Sequence, residues 1–462
     1  MSASSRSSYG RGAAILSAGI GATGLITFGY FSLASHSLPE DEYGRITLLW
    51  SAMFITVSVL YRPVEQLLSR TIADHDARGV GGTEHLRVAA TIQLALGVLF
   101  AVVALALRGP IQDDLFGGSS TLYWVLVVGV LAYAASYFAR GYLAGHRLFP
   151  LYGGLVLMEA SSRCLFALAV ALGIAEGQSA VALGMVAAPI VSLAVVPPAL
   201  ARRLRPRDDD AAAEPAFEAD PDLLDAASRD EPSAREPALQ GDASGITPRG
   251  TAGEPAFTLA RGTGFAAAVL LVMLSEQTFL NAGPLLVKAT ADSGGAALAG
   301  FTFNVLLIAR APLQLFQAIQ TSILPHLTRL RAGGELDPFA RSVNLTLIAI
   351  AGFAGCVALV MLVAGPQLMD LLFGGDFDYG RGGLVLVAAG MGLYLCAATL
   401  NQALLAHEHA ARSAACWAVT AAAFVLFLVL VEFDDRVLQV EAAFTGAAAL
   451  LSAALYALYR RA

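Results

Sequence analysis

The chain has 462 residues, of which 56% are hydrophobic and 14% are charged. Its mean hydropathy is +0.65. Soluble domains carry about 25% charged residues, so this composition excludes an ordinary soluble domain and indicates an integral membrane protein. The net charge of −7 owes much to one acidic segment, and nucleic acid is not expected as a partner.

That acidic segment, residues 202–261, is the only long stretch without an apolar run. It is rich in Ala, Pro, Asp and Glu, as in Asp208-Asp209-Asp210. Such a composition has too little apolar surface to offset the entropy of ordering, which predicts a disordered cytoplasmic linker. The linker divides the chain into an N-terminal lobe, residues 1–201, and a C-terminal lobe, residues 262–462.

Apolar runs of the length needed to cross the bilayer occur in equal number on both sides of the linker. About 20 such residues cross the roughly 30 Å hydrocarbon core. The sequence therefore predicts an all-α integral membrane protein with twelve transmembrane helices. These lie near residues 13–36, 46–68, 88–108, 121–143, 152–174, 179–201, 264–288, 296–324, 343–364, 383–405, 413–432 and 439–459.

The distribution of basic residues predicts the orientation of these spans. With the N-terminus in the cytoplasm, 22 of the 29 Arg and Lys residues lie on the inner side and five on the outer side. Basic residues concentrate in cytoplasmic loops of membrane proteins. Both termini are therefore predicted to be cytoplasmic.

The two halves also share short motifs in the same order. Residues 11–12 and 261–262 are both Arg-Gly, and residues 115–118 and 372–375 are both Leu-Phe-Gly-Gly. The series indicates duplication of a six-helix unit, and two parallel repeats of this kind are related by an axis along the membrane normal. Two such bundles that meet at a central cleft can rock about the bilayer midplane and expose a cavity to each side in turn.

Ionisable and amide side chains at membrane depth are the candidate functional residues. A charged group at the centre of a span costs about 2.5–3.5 kcal/mol, so it usually faces protein or a wet cavity. Glu276 is the candidate ion-coupling carboxylate. The candidate substrate-binding residues of the cleft are Arg310, Arg163, Arg62, Glu159, Gln277, Asn281 and Gln314.

Structural alternatives exist for the charged members of this set. Glu159 and Arg163 are spaced i, i+4, so a neutralising pair on one helix is an equal alternative to a cavity role. Arg62 is close enough to the inner interface to extend its guanidinium there. Arg310 and Glu276 are too deep for that, so they either pair with each other or line the cleft.

No motif predicts an enzyme, a metal centre or a cofactor site. Residues 19–24 match a dinucleotide-binding pattern, but they lie inside a predicted span with no preceding strand, so close helix packing is the better interpretation. His407 and His409 lie in a short loop without further metal ligands nearby. No nucleophile and base occur together in a loop large enough for a soluble active site, so the protein is predicted not to be an enzyme.

The chain resembles the polysaccharide flippases, of the O-antigen and teichuronic type, in the multidrug/oligosaccharidyl-lipid/polysaccharide exporter superfamily. The similarity is carried by residues 372–377 and 402–407, by the turn at 38–44 and by the helix end at 323–327. It implies a V-shaped two-lobe transporter of the bacterial cytoplasmic membrane, with six helices in each lobe, that moves a polyprenyl-linked oligosaccharide to the outer leaflet. Membrane lipids and envelope polysaccharide synthesis proteins are the further partners that it implies.

Two departures from the superfamily limit what the resemblance implies. Its lipid II flippases have fourteen spans, whereas twelve are predicted here. Some relatives bind Na⁺ between carboxylates and amides of spans seven, eleven and twelve. Glu276 matches the first of these positions, but span eleven offers only Thr420, so coupling to Na⁺ or H⁺ stays open.

Three other functions remain as alternatives. A cation-coupled multidrug antiporter of the same superfamily would use Glu276, although arginines within the spans would repel cationic drugs. A major-facilitator transporter also has six plus six spans, but residues 72–79 only faintly resemble its signature. The last alternative is a non-transporting scaffold that recruits envelope-synthesis proteins through the linker.

Overall fold

The computed structural model describes residues 3–78, 82–197, 259–291, 294–310, 336–374, 379–407 and 409–461. Within these ranges the chain forms twelve α-helices and no β-strand. The helices are α1 Ala3–Ser37, α2 Glu40–Arg78, α3 Glu84–Ala106, α4 Ser120–Gly145, α5 Phe149–Ala171, α6 Gly177–Ser192, α7 Leu259–Thr290, α8 Gly295–Arg310, α9 Leu336–Phe373, α10 Arg381–Ala406, α11 Ala410–Leu430 and α12 Arg436–Tyr459.

Each predicted span corresponds to one of these helices, so the predicted all-α membrane fold is confirmed. Ten helices are long and apolar enough to cross a bilayer, and α1 and α8 occupy the positions of the first and eighth predicted spans. The α8 helix is described for 16 residues, up to Arg310. The predicted linker lies outside the described residues except at its end, because α7 begins at Leu259.

The helix boundaries follow local chemistry. Ser119 accepts a hydrogen bond from the Leu122 amide at the start of α4, and the Asp435 carboxylate accepts two from the first amides of α12. These side chains satisfy backbone donors that a helix start leaves unpaired. The repeated Leu-Phe-Gly-Gly motif has a conformational role, because Gly117 and Gly374 take φ values of 58° and 92°. A side chain is strained in that region.

The helices of the two halves pack in the same pattern. In the first half α1 packs on α5, α3 on α4, and α6 on both α4 and α5. The corresponding pairs of the second half also pack, with α7 on α11, α9 on α10, and α12 on both α10 and α11. This correspondence is what duplication of a six-helix unit predicts.

Burial separates the central helices from the peripheral ones. Among the ten spanning helices, α2, α4 and α10 are the most buried, while α3 and α9 are the least. In a bilayer the large exposed apolar side chains of α3 and α9 face lipid. Of the central helices, α2 supplies more residues to the site described below than any other helix does.

The two halves meet closely at the end of the molecule where α2 and α8 begin. A Cβ on Gly44 would overlap the carbonyl of Ala296, so the two helices touch backbone to backbone. Beside this contact the Tyr43 hydroxyl donates to Asn304 Oδ1, and Asn304 Nδ2 donates to the Tyr379 hydroxyl at 3.1 Å. The predicted topology assigns this end, which we call the outer seal, to the outer side of the membrane.

Candidate functional site

A cavity of about 800 Å³ lies between the two halves. Its walls come from α1, α2, α4 and α5 on one side and from α7, α8 and α10 on the other. It runs from Phe28 and Phe31, at the aromatic end near the outer seal, to Ala73, Ala144 and Phe149 at the opposite helix ends. The predicted topology makes that opposite end cytoplasmic.

A row of α2 side chains lines much of the cavity. Six of the nine α2 residues that line the cavity are spaced four apart, from residue 50 to residue 70, which is about 30 Å at 1.5 Å per residue. Each step of four advances about 40° past a full turn, so this row winds around the helix. The row is aromatic near the outer seal and polar to cationic toward the other end. We call these six residues the α2 stripe: Trp50, Phe54, Ser58, Arg62, Gln66 and Arg70.

Arg310 lies on the wall contributed by the second half. Its guanidinium donates to the Leu280 carbonyl and, at 3.0 Å, to Asn281 Oδ1, and it lies 4.3 Å from the ring centroid of Phe303. Asn281 in turn donates to Gln277 Oε1 at 3.1 Å. Among the described residues no carboxylate bonds to Arg310. Of the two alternatives for Arg310, the structure disagrees with pairing to Glu276, and Arg310, Gln277 and Asn281 line the cavity together.

Arg62 lies at the boundary between the two halves and also lines the cavity. Its charge is attracted by Glu276 of α7 and by Glu65 of its own helix. Glu65 also accepts a hydrogen bond from the Tyr152 hydroxyl at 2.9 Å. Arg62 thus lies in the cavity wall near two carboxylates.

Glu276 does not belong to the described cavity lining. It lies beside Tyr394 of α10 and is attracted by Arg62. The Thr420 hydroxyl of α11 donates to carbonyls of its own helix at Cys416 and Trp417, at 2.7 and 3.1 Å. Within the described part of the chain, no three His, Cys, Asp or Glu side chains are placed to hold a metal ion.

Glu159 has a different role from the one predicted. It forms an ion pair with Arg140 of α4 and accepts hydrogen bonds from Ser136 and, at 3.4 Å, from Ser192. Arg140 lines the cavity, whereas Glu159 is only 2% exposed and lies behind it. Glu159 thus positions Arg140 and is itself shielded from the cavity.

Arg163 also lies behind the cavity wall. It donates to the Tyr133 hydroxyl at 2.7 Å, and its guanidinium carbon lies 5.1 Å from the ring centroid of Trp50 and 5.7 Å from that of Phe54. The alternative in which Glu159 and Arg163 neutralise each other is wrong, because α4 supplies a separate partner for each. Gln314, the remaining candidate, lies outside the described residues.

Sequence reasoning missed several residues of the site. Arg140 counted only as an inner-side positive charge, and Trp50, Phe54 and Arg70 were not considered. The four-residue spacing along α2 was the available signal, because side chains four apart are neighbours on a helix and the spacing joins the aromatic and basic residues into one row. No residue spacing in the sequence indicates the pairing of Arg140 with Glu159, because this pairing depends on how α4 packs against α5.

No family model and no curated protein sequence matches the chain. Solved structures do match over nearly the whole length. One is an inward-facing multidrug resistance MATE family transporter of the MOP superfamily, at 11% identity and a TM-score of 0.65. The match covers 96% of this chain and 94% of that chain.

Two other transporters give similar values. The Vibrio cholerae MATE transporter VcmN in its bent form matches at 14% identity and a TM-score of 0.55, covering 99% of this chain and 98% of that one. The eukaryotic MATE transporter AtDTX14 matches at 11% identity and a TM-score of 0.61, covering 97% and 95%. The chain therefore has the fold of the MATE transporters of the MOP superfamily.

Proposed function

We propose that the protein is a membrane exporter that flips an anionic envelope lipid, a polyprenyl-linked oligosaccharide, by alternating access. The observation that carries this proposal is Arg310, a cavity-lining guanidinium without a carboxylate partner among the described residues. A buried charge is costly unless it is paired. An anionic group of the substrate would supply the missing partner.

The described cavity lining as a whole contains more cationic than anionic side chains. It contains four arginines, Arg62, Arg70, Arg140 and Arg310, and a single carboxylate, Glu65. Arginine binds phosphate oxygens through paired, charge-assisted hydrogen bonds. A diphosphate between a lipid tail and a sugar presents such oxygens, and it cannot cross hydrocarbon without these contacts.

The shape of the cavity also suits export. The outer seal closes one end, and the cavity extends to the helix ends that the topology assigns to the cytoplasm. A head group entering there would meet Arg70, Arg62 and Arg140, while its tail stays in the bilayer. Rocking of two parallel repeats would then expose the same site to the other side.

Replacement of Arg310 tests this proposal. In cells, Arg310→Gln should cause lipid-linked oligosaccharide to accumulate and surface polysaccharide to be lost, while Arg310→Lys keeps part of the function. The matched control is Arg412→Gln, which removes an exposed arginine of α11. Normal surface polysaccharide in Arg310→Gln cells with wild-type protein levels would contradict the proposal.

A second candidate is a cation-coupled multidrug exporter. The similar solved structure described above is a multidrug resistance transporter, and this favours the candidate. Glu276 would be the coupling carboxylate. Normal glycans in a deletion strain, together with drug sensitivity that Glu276→Gln reproduces, would support it over the flippase. The MATE fold argues against the major-facilitator alternative, and the linker scaffold remains an untested prediction.

A further inference from the structure

We propose that a groove on the lipid-facing surface of the first half binds an anionic phospholipid of the cytoplasmic leaflet. The groove lies between α3 and α4 and is completed by Leu193 and Val196, just after α6. Its volume is about 770 Å³. It shares no residue with the arginine-lined cavity, which α4 borders with other side chains, so the inference does not depend on the proposed function.

Small side chains leave this space open between the helices. Six of the lining residues are alanine or glycine: Ala90, Gly97, Ala101, Ala134, Ala135 and Ala139. Gln93 links the two helices, because its side-chain amide donates to the Ala134 carbonyl at 2.6 Å. Leu94 and Val98 also line the groove and are 69% and 55% exposed, so the groove opens toward the surface that faces lipid.

The lining of the groove suits a hydrocarbon chain. None of the described lining residues is charged, and all except Gln93 and Tyr142 are apolar. An apolar space stays free of water, and leaving it empty would forfeit the dispersion contacts of its walls. The groove extends along α3 from Leu86 to Ala101, which is about 22 Å at 1.5 Å per residue. One leaflet supplies about half of the roughly 30 Å hydrocarbon core, so an acyl chain of a single leaflet fills most of this length.

The groove begins where α3 starts and α4 ends, on the side predicted to be cytoplasmic. Two adjacent residues at the end of α2 contact both of these helices. The rings of His75 and His85 have centroids 4.7 Å apart, and Asp76 Oδ2 lies 3.2 Å from His146 Nδ1. The start of α3 and the end of α4 are therefore close together, and we call this end the mouth of the groove.

Two arginines supply positive charge at the mouth. Arg87 precedes Ala90, Leu94 and Val98 by three, seven and eleven residues, so it continues their row by one turn of α3. Arg147 follows the end of α4. Both are exposed, and neither side chain bonds to another described residue. The cytoplasmic leaflet contains anionic lipids that attract basic residues close to the membrane surface. An anionic head group at the mouth would thus meet two cations while its chain occupies the groove.

The backbone at Arg147 gives independent support for a role of its charge. Its φ is 57°, the only positive φ of a residue other than glycine in the described part of the chain. Its amide donates to the Ala144 carbonyl at 3.0 Å, and the Leu148 amide donates to the Leu143 carbonyl at 2.8 Å. Glycine is common at this position of a helix end because a side chain is strained there. Attraction to a lipid phosphate would offset the strain, as would attraction to the C-terminus of α4, and the experiment below separates the two.

Lipid binding to the purified full-length protein tests the inference. Native mass spectrometry in detergent gives the affinity for phosphatidylglycerol and for phosphatidylcholine with the same oleoyl chains. We expect wild-type protein to bind phosphatidylglycerol more tightly. One arginine near the membrane surface is worth about fivefold in affinity for an anionic lipid. Arg87→Gln and Arg147→Gly should therefore each weaken phosphatidylglycerol binding by about this factor and leave phosphatidylcholine binding unchanged.

A second variant tests whether the chain occupies the groove. Ala135→Phe places a ring in the groove from an exposed position and should weaken binding of both phospholipids. The matched controls are Ala351→Phe, at an exposed alanine of α9, and Arg412→Gln, at an exposed arginine of α11. Neither control should change binding. Thermal unfolding shows whether each variant is folded, and Arg147→Gly should be at least as stable as wild type.

Three results would overturn the inference. One is unchanged binding of both phospholipids in Ala135→Phe. Another is wild-type binding of phosphatidylglycerol by both arginine variants, with a lower unfolding temperature in Arg147→Gly, because the charge would then serve the helix end alone. The third is displacement of phosphatidylglycerol by polyprenyl-diphosphate N-acetylglucosamine, which would assign the groove to the tail of the transported lipid. The transport proposal is tested at Arg310, so either proposal can fail while the other stands.

Discussion

The outer seal depends on a glycine at which two helices touch. Gly44 of α2 lies against the Ala296 carbonyl of α8, and a Cβ on Gly300 would lie 3.1 Å from the Gly44 Cα. Carbon atoms in contact are normally about 3.5–4.0 Å apart. In Gly44→Ala the new methyl group therefore cannot be accommodated unless the two helices separate.

The size of the effect follows from the cost of overpacking. Extra methyl groups in a packed interface cost about 1–3 kcal/mol. This cost applies only when the outer seal is closed, so it should shift the ratio of closed to open conformations about 5- to 150-fold toward open. Gly44→Ala should thus populate states in which the outer end of the cavity is accessible.

Distance measurements between spin labels can detect this shift. Labels at Asp41→Cys and Arg381→Cys, in a cysteine-free background, would report the separation of α2 and α10 at exposed positions of the outer end. Gly44→Ala should add a longer distance to the distribution. The matched control is Gly29→Ala, because a Cβ there meets nothing within 4 Å. An unchanged distribution in Gly44→Ala would refute the reasoning about the seal.

Two further predictions concern buried polar groups. Glu159→Gln removes the carboxylate that pairs with the Arg140 guanidinium, and breaking a buried ion pair costs about 3–5 kcal/mol. The unfolding temperature of this variant in detergent should therefore fall clearly below that of wild type. Equal stability would contradict the pairing. Asn304→Ala removes the hydrogen bonds that link Tyr43 and Tyr379 and should weaken the outer seal by about 1–3 kcal/mol. Spin labels at positions 41 and 381 should then show more of the open state. A wild-type distance distribution would mean that the glycine contact alone maintains closure.

The sequence was sufficient to predict the membrane-spanning helices, because their formation depends on the apolar surroundings of the bilayer. Each apolar run became a helix because backbone groups in hydrocarbon must be satisfied within the segment. The repeated Leu-Phe-Gly-Gly motif indicated a duplicated unit, and in the structure Gly117 and Gly374 of the two copies both take a positive φ. Both inferences use local rules that do not require knowledge of helix packing.

The site was less predictable because its contacts join distant helices. Depth in the membrane selected Arg310, Arg62, Gln277 and Asn281, and these four residues line the cavity. The same criterion could not show that Glu159 lies behind the cavity wall, since its partner Arg140 belongs to another helix.

Arg163 was misplaced for a related reason. Its contacts with Tyr133, Trp50 and Phe54 come from α4 and α2. Spacing within α5 therefore carried no information about them.

The central claim is that the cavity carries an anionic lipid-linked sugar across the membrane. The most direct test is translocation of a fluorescent polyprenyl-diphosphate oligosaccharide by the purified protein in liposomes, read as the fraction that a membrane-impermeant quencher reaches. We predict that the protein makes the inner-leaflet pool accessible and that Arg310→Gln abolishes this. Efflux of ethidium from the same liposomes with no movement of the lipid would contradict the account.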